Sequence, residues 1–265
     1  MNQGRARIVS ARTLLVALLG LYLAFVYIPM AMVAVSAVNR NRLTALPWRG
    51  FTLDWFANIP AEPGLLRALG NSILVGIAVA ITATALGSLA AYGLRRREFR
   101  GQGAILAFLA SPIAVPWVLL GLGFLLFFNA IGFPQGLIAV WVAHTTFAAP
   151  LAFMVIRPSA NALAVNLEEA ASDLGASPAQ TLADVILPLL MPALAAAALL
   201  TFTLSLDEFI MAWFVSGFDY TLPVRIWSSL KQGISPSISA ISLIMLCFSM
   251  SALVVALAVY RRRTI

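Results

Sequence analysis

The sequence predicts an all-α, polytopic integral membrane protein with six transmembrane helices, and three observations carry that expectation. Apolar residues make up 62% of the 265 residues and charged residues only 10%, against about 45–50% and about 25% in an ordinary soluble domain. The apolar residues fall in runs of about 20 or more, the length a helix needs to cross a bilayer that offers an open backbone no partner. Short, arginine-bearing segments separate the runs. This balance excludes disordered, collagen-like and coiled-coil chains. One cysteine and one histidine allow no internal disulfide and no set of zinc ligands.

Taken in order, the spans are expected at Thr13–Val38, Asn71–Leu94, Ala104–Phe128, Leu137–Ile156, Leu189–Phe214 and Ile238–Tyr260, within one membrane domain covering residues 1–265. The first has an apolar region about twice that of a signal peptide and only Val35-Ser36-Ala37 as a poor cleavage site. It reads as an uncleaved anchor. Between Arg100 and Arg157 lie 56 residues without formal charge, too many for one crossing. The turn-forming stretch Asn129–Gly136 splits them into the third and fourth spans.

Orientation follows from lysine and arginine in short loops. The N-terminal tail carries Arg5, Arg7 and Arg12, the loop after the second span Arg95, Arg96, Arg97 and Arg100, and the C-terminal tail Arg261, Arg262 and Arg263. The other side holds Arg40, Arg42, Arg49, Arg67, Arg225 and Lys231 in longer loops. Both termini are therefore expected in the cytoplasm. The net charge of +7 serves this anchoring against membrane lipid, and nucleic acid need not be invoked.

Catalytic motifs are missing. The only lysine is Lys231, so there is no P-loop to bind ATP. There is no serine elbow, zinc-protease helix or dinucleotide fingerprint either. No cofactor, metal or catalytic residue is expected, and no inverted repeat is evident. His144, inside the fourth span, reads as a packing or interhelix hydrogen-bonding residue and not as a catalyst.

The informative segment is the loop 157–188. Asn166 with Glu169 three positions on forms a capping box, and Gly175 stands where a helix needs a left-handed C-terminal residue. Ser177, Pro178 and Gln180 then open a second helix. The expectation is helix, glycine elbow, helix. Glu168, Glu169, Asp173 and Asp184 against Arg157 make the loop anionic, which fits either a docking surface or acids that favour helix N-termini.

Glu169-Ala170-Ala171, Gly175 and then Val185-Ile186-Leu187-Pro188 resemble the EAA motif of ABC importer permeases, with Val185 in place of the usual isoleucine. The resemblance implies that Glu169 pairs with an ATPase subunit, that Ala170 and Ala171 allow close approach, that Gly175 makes the elbow, and that Val185, Leu187 and Pro188 complete the coupling surface. It extends over roughly residues 70–260. Asn71-Ser72-Ile73, Ala91-Tyr92-Gly93-Leu94-Arg95-Arg96, Ser205-Leu206-Asp207-Glu208-Phe209 and Leu222-Pro223-Val224-Arg225-Ile226-Trp227 resemble the second permease of spermidine/putrescine importers, the PotC type. The first span looks like the extra helix that such subunits add before a five-helix core. The implied fold is the MetI-like permease fold. The implied partners are a homologous permease, two ATPase subunits and a soluble solute-binding protein on the outer face. Related subunits carry ferric iron, phosphonates or opines. A membrane-embedded sensor or enzyme is the alternative from another class, and it requires a constellation in the spans that the sequence does not show.

Asp207 and Glu208 supply a separate argument about substrate. They fall inside the fifth span, where an ionisable group costs about 2.5–3.5 kcal/mol at a helix centre. Such groups face a wet cavity or a partner. Either they line an anionic path suited to a cation, or an arginine of the partner permease or the outer loops satisfies them. Trp213, Phe214 and Trp141 nearby read as interface anchors.

Overall fold

The computed structural model describes residues 2–41, 46–95, 99–163, 166–231 and 235–261. Arg42, Arg96, Arg97, Arg262 and Arg263, named above for orientation, lie outside the described residues. The chain divides into two compact units, Met1–Glu62 with Ser229–Leu246, and Pro63–Ser228 with Cys247–Ile265.

The smaller unit holds helix α1 (Asn2–Val38) and a loop closed on Asn39. Asn39 is wholly buried. Its Oδ1 accepts from the backbone of Asn41 and Arg49, its Nδ2 donates to the Pro47 carbonyl, and its own carbonyl accepts from Trp55 Nε1 at 2.7 Å. This buried amide reinforces an antiparallel bridge between Asn39 and Phe51, in which Arg40 N–H donates to the Gly50 carbonyl and Thr52 N–H to the Val38 carbonyl. The short helix α2 (Asp54–Ala57) and a 3₁₀ turn (Ile59–Ala61) follow, and Ser235 donates to Glu62.

The larger unit is built on three mutually packed helices: α3 (Leu65–Gly93), α6 (Leu137–Ala162) and α9 (Leu187–Asp207). Without a hydrophobic driving force between helices in lipid, close approach comes from small residues. Gly87 shows this directly: a β-carbon there would stand 2.6 Å from the backbone nitrogen of Phe153. One buried cluster gathers Val75, Val79, Ala83, Phe128, Val140 and Val215. A second gathers Ala91, Ala152, Ile156, Ile186 and Leu190 toward the other end of the bundle.

Between α3 and α6 come α4 (Gln102–Ala114) and α5 (Trp117–Ala130), bent by 99° at a two-residue break. The straight third span expected at Ala104–Phe128 is therefore corrected to a broken one. Pro116 is the cause. The residue before a proline is driven from the helical region, and Val115 is extended at φ −86°, ψ 129°. Neither half alone reaches across the hydrocarbon, since 13 or 14 residues span only about 20 Å.

The pair nevertheless runs the full depth of the bundle. Gln102, at its start, donates to the Leu94 carbonyl just past the end of α3. After its end, Gly136 donates to the Val215 carbonyl. Four residues beyond Val215, Asp219 meets Arg67 at the start of α3. The two ends of the bent pair thus sit at opposite ends of a helix about 43 Å long. It is a broken crossing and not a re-entrant loop.

The loop helices are α7 (Asn166–Asp173) and α8 (Pro178–Gln180). From α8 the chain passes through a π-helical turn (Thr181–Ile186) straight into α9, where a separate fifth span beginning at Leu189 was expected. Pro188 has no N–H to donate and its ring crowds the carbonyl four residues back; the wider π turn directly before it absorbs that misfit. The fifth span also ends early. α9 stops at Asp207, and α10 (Ile210–Val215) begins after Glu208-Phe209. Finally come α11 (Leu222–Leu230) and α12 (Pro236–Arg261). Among the described residues, five helices are long and apolar enough to cross a membrane, and the bent pair makes a sixth crossing.

Candidate functional site

The loop between α6 and α9 is a helix, an elbow and a helix. Gly175 takes φ +85°, the left-handed region in which an L-residue is disfavoured by about 1–2 kcal/mol. The turn it makes closes α7 with two hydrogen bonds: Gly175 N–H to the Ser172 carbonyl at 2.9 Å, and Ala176 N–H to the Ala171 carbonyl at 3.0 Å. This paired pattern satisfies carbonyls that the helix end leaves open. On the far side, Ser177 Oγ accepts from Gln180 N–H while the Gln180 side chain accepts from Ser177 N–H. That reciprocal cap fixes where α8 starts. The residues just before Asn166 lie outside the described residues.

The elbow presents a definite outer face. Glu169, Ala170 and Asp173 are exposed, and Leu174 at the turn is 89% exposed. Ala171 is buried, so only one of the paired alanines faces outward. Val185 lies half-buried on the π turn, and Leu187 and Pro188 lie exposed at the head of α9. An exposed leucine on a mostly acidic surface is what a partner with an apolar pocket and basic rim would engage. Nothing in the sequence pattern singles out Leu174.

Glu168 behaves differently from Glu169. Its side chain is 8% exposed and forms an ion pair with Arg95, whose own side chain is 3% exposed. Tyr92 Oη donates to the same carboxylate at 3.2 Å, and the Arg95 guanidinium lies over the Tyr92 ring, 4.5 Å from its centroid. The sequence offers Arg95 only as one of several loop arginines. Its partner stands 73 positions away and no local pattern reveals the pairing.

The second candidate site is the break between α9 and α10. Asp207 and Glu208 point into different surroundings. Glu208 is 3% exposed, and its two carboxylate oxygens accept from the backbone N–H groups of Met211 and Ala212 at 2.9 and 3.1 Å. His144 Nε2 lies 3.0 Å from the same carboxylate, and His144 Nδ1 is 2.9 Å from Ser205 Oγ. The expected interhelix role of His144 is visible here. Asp207 is exposed, and its carboxylate accepts from Ser249 Oγ at 3.0 Å. Phe209 packs between Trp213 and Trp227, with ring centroids 5.8 and 5.5 Å away. Trp141 donates to Thr82, and Phe214 lies against Gly121. No cluster of metal-ligating side chains occurs among the described residues.

A bundle with several helices long and apolar enough to cross a membrane, carrying a capped helical elbow, defines the class as a multi-pass membrane protein. The chain belongs to the family of binding-protein-dependent transport system inner membrane components, whose description matches residues 83–265. Among its relatives is the putrescine transport system permease protein PotI of Escherichia coli K12, 36% identical over 230 residues, covering 84% of this chain and 82% of that one. The spermidine/putrescine permease PotC of Haemophilus influenzae is 33% identical and covers 90% and 93%. A solved bacterial ABC transporter involved in alginate import superposes with a TM-score of 0.67 over 97% of this chain and 96% of that one, at 16% identity. The MetNI methionine transporter gives 0.60 over 77% and 97%, at 19% identity. These two share the fold, which is the MetI-like permease fold expected above.

Proposed function

We propose that this chain is the translocation subunit of an ABC importer for polyamines, working with a homologous permease, two ATPase subunits and an extracytoplasmic solute-binding protein. The single observation that carries the coupling part is the elbow at Gly175, which holds Glu169, Ala170 and Leu174 on one outward face. In this reading ATP hydrolysis resides on the partner chains. Their movement is passed to the loop 157–188, and the bundle switches between outward and inward access as packed helices shift between discrete arrangements. Both termini and the elbow face the cytoplasm, in keeping with the distribution of arginines.

The polyamine part rests on the relatives, which are putrescine and spermidine/putrescine permeases, and on Asp207. An exposed carboxylate at a helix break lowers the energy of a cation beside it, the more so where water is scarce. Glu208 is already held by His144 and two backbone N–H groups, so the charge on offer to a substrate is that of Asp207. Purified complex reconstituted with its ATPase and binding protein tests the reading. ATP-dependent uptake of labelled putrescine or spermidine is the expected result. Uptake of ferric iron, phosphonate or opine instead, with no polyamine transport, would replace the substrate. Absence of any ATP-driven uptake would remove the importer.

A further inference from the structure

We propose that Arg95 and Glu168 form a buried ionic latch that makes α3 the rod linking the elbow to the loop at the opposite end of the bundle. The inference rests on the importer reading and goes beyond it by naming how the two faces communicate.

The geometry at one end is specific. The chain between α3 and α7 contains α4, α5 and α6, so no short covalent path joins them. α7 packs its backbone against the π turn. It reaches α3 through Glu168, which meets the Arg95 guanidinium and the Tyr92 hydroxyl together. Both charges are almost wholly buried, although α7 has an exposed side available. A buried ion pair adds little net stability compared with apolar packing; what it does impose is one partner and one register. Removing either member strands the other, so α7 cannot slide from the end of α3 without exposing or orphaning a charge.

The opposite end of α3 is tied just as definitely. Arg67 pairs with Asp219 at 3.0 Å, Asn71 Nδ2 donates to the Tyr220 carbonyl, Ser72 Oγ accepts from Leu222 N–H, and Arg225 donates to the Pro63 carbonyl. All four hold the loop before α11 and the start of that helix. Phe218 projects from this loop, 97% exposed. Between these ends α3 is 29 unbroken helical residues, whereas α4–α5 is bent and the helix through α9 is interrupted at Glu208. A straight packed helix transmits displacement with little compression. A partner seated on the Phe218 loop and one seated on the elbow would therefore bias the same element, which is the physical requirement for coupling between two sites.

The test uses the complete complex in proteoliposomes and reads the ratio of ATP hydrolysis with loaded binding protein to hydrolysis without it. Glu168→Gln and Arg95→Met should each lower that ratio by about tenfold, with the ATPase still bound and basal hydrolysis retained. The exchange Arg95→Glu with Glu168→Arg should restore at least half of the stimulation. Where a single variant fails to assemble, the exchange decides: an assembled, stimulated exchange variant supports the latch, and one no better than the singles overturns it. Wild-type stimulation ratios in both singles also overturn it. A wild-type complex that no loaded binding protein stimulates strikes the importer reading itself, a result distinct from failure of the latch.

Discussion

Gly175→Val isolates the backbone of the elbow from everything around it. A β-carbon at this position meets nothing within 4 Å, so a larger side chain has room. The whole penalty comes from φ +85°, about 1–2 kcal/mol for an L-residue, with the β-branched valine at the upper end. That energy shifts the balance between formed and unformed elbow by roughly 5–30-fold, and it acts on the two hydrogen bonds that close α7. Asparagine tolerates the left-handed region far better than alanine or valine. The expected order of ATPase co-purification and of ATP-driven uptake is therefore glycine, asparagine, alanine, valine. Membrane-inserted protein should stay constant across the series, because the elbow lies outside the packed bundle. Equal function of the glycine and valine forms at equal insertion would refute the elbow's role. An asparagine form as poor as the valine form would show that side-chain bulk, and not backbone conformation, is what matters.

Gly87→Ala places a carbon 2.6 Å from a backbone nitrogen of α6, and overpacking of this kind costs about 1–3 kcal/mol; a lower unfolding temperature in detergent should report it, and an unchanged one would mean the helices separate freely. Asp207→Asn should raise the KM for polyamine uptake by about tenfold, or 1.4 kcal/mol, with normal complex yield. Glu208→Gln should instead lower complex yield, since Met211 and Ala212 donate to different carboxylate oxygens, and the amide NH2 would face one of those N–H groups and leave it unsatisfied at about 1–3 kcal/mol; the reverse pattern would exchange the roles given to the two acids. Trp48→Cys in a Cys247→Ser background should react with an impermeant thiol reagent from outside the cell, and labelling only from the cytoplasmic side would invert the assigned orientation.

Local chemistry was legible in the sequence and distant pairing was not. Gly175, Ser177 and Gln180 act within a few residues of themselves, and each sits in the conformation its type demands. The hydrophobic runs located the crossings for the same reason, because a helix in lipid satisfies its own backbone. The breaks were harder. Pro112 and Pro116 were present in the third span, but prolines are tolerated in membrane helices whose neighbours re-satisfy the backbone, so composition alone cannot tell a tolerated proline from a 99° bend. The partnership of Arg95 with Glu168 spans three intervening helices. Arginine near a membrane helix end has an ordinary use in orientation, and that use concealed the buried one.

The acid pair shows most clearly how one unforeseen break changes a functional argument. Side chains of adjacent residues on a continuous helix differ by about 100°, and from that geometry Asp207 and Glu208 look like two partial views of the same space. The chain instead stops its helix between them. A carboxylate at depth in a membrane protein needs partners, and a new helix beginning there exposes N–H groups that need acceptors. Glu208 meets both requirements at once by accepting from Met211 and Ala212, with His144 and Ser205 fixing it from α6 and α9. Ending α9 in this way leaves Asp207 as its last residue, outside that network and exposed beside Ser249. The buried acid is thus the structural reason that Asp207 is left exposed at the end of α9, outside the network that holds Glu208.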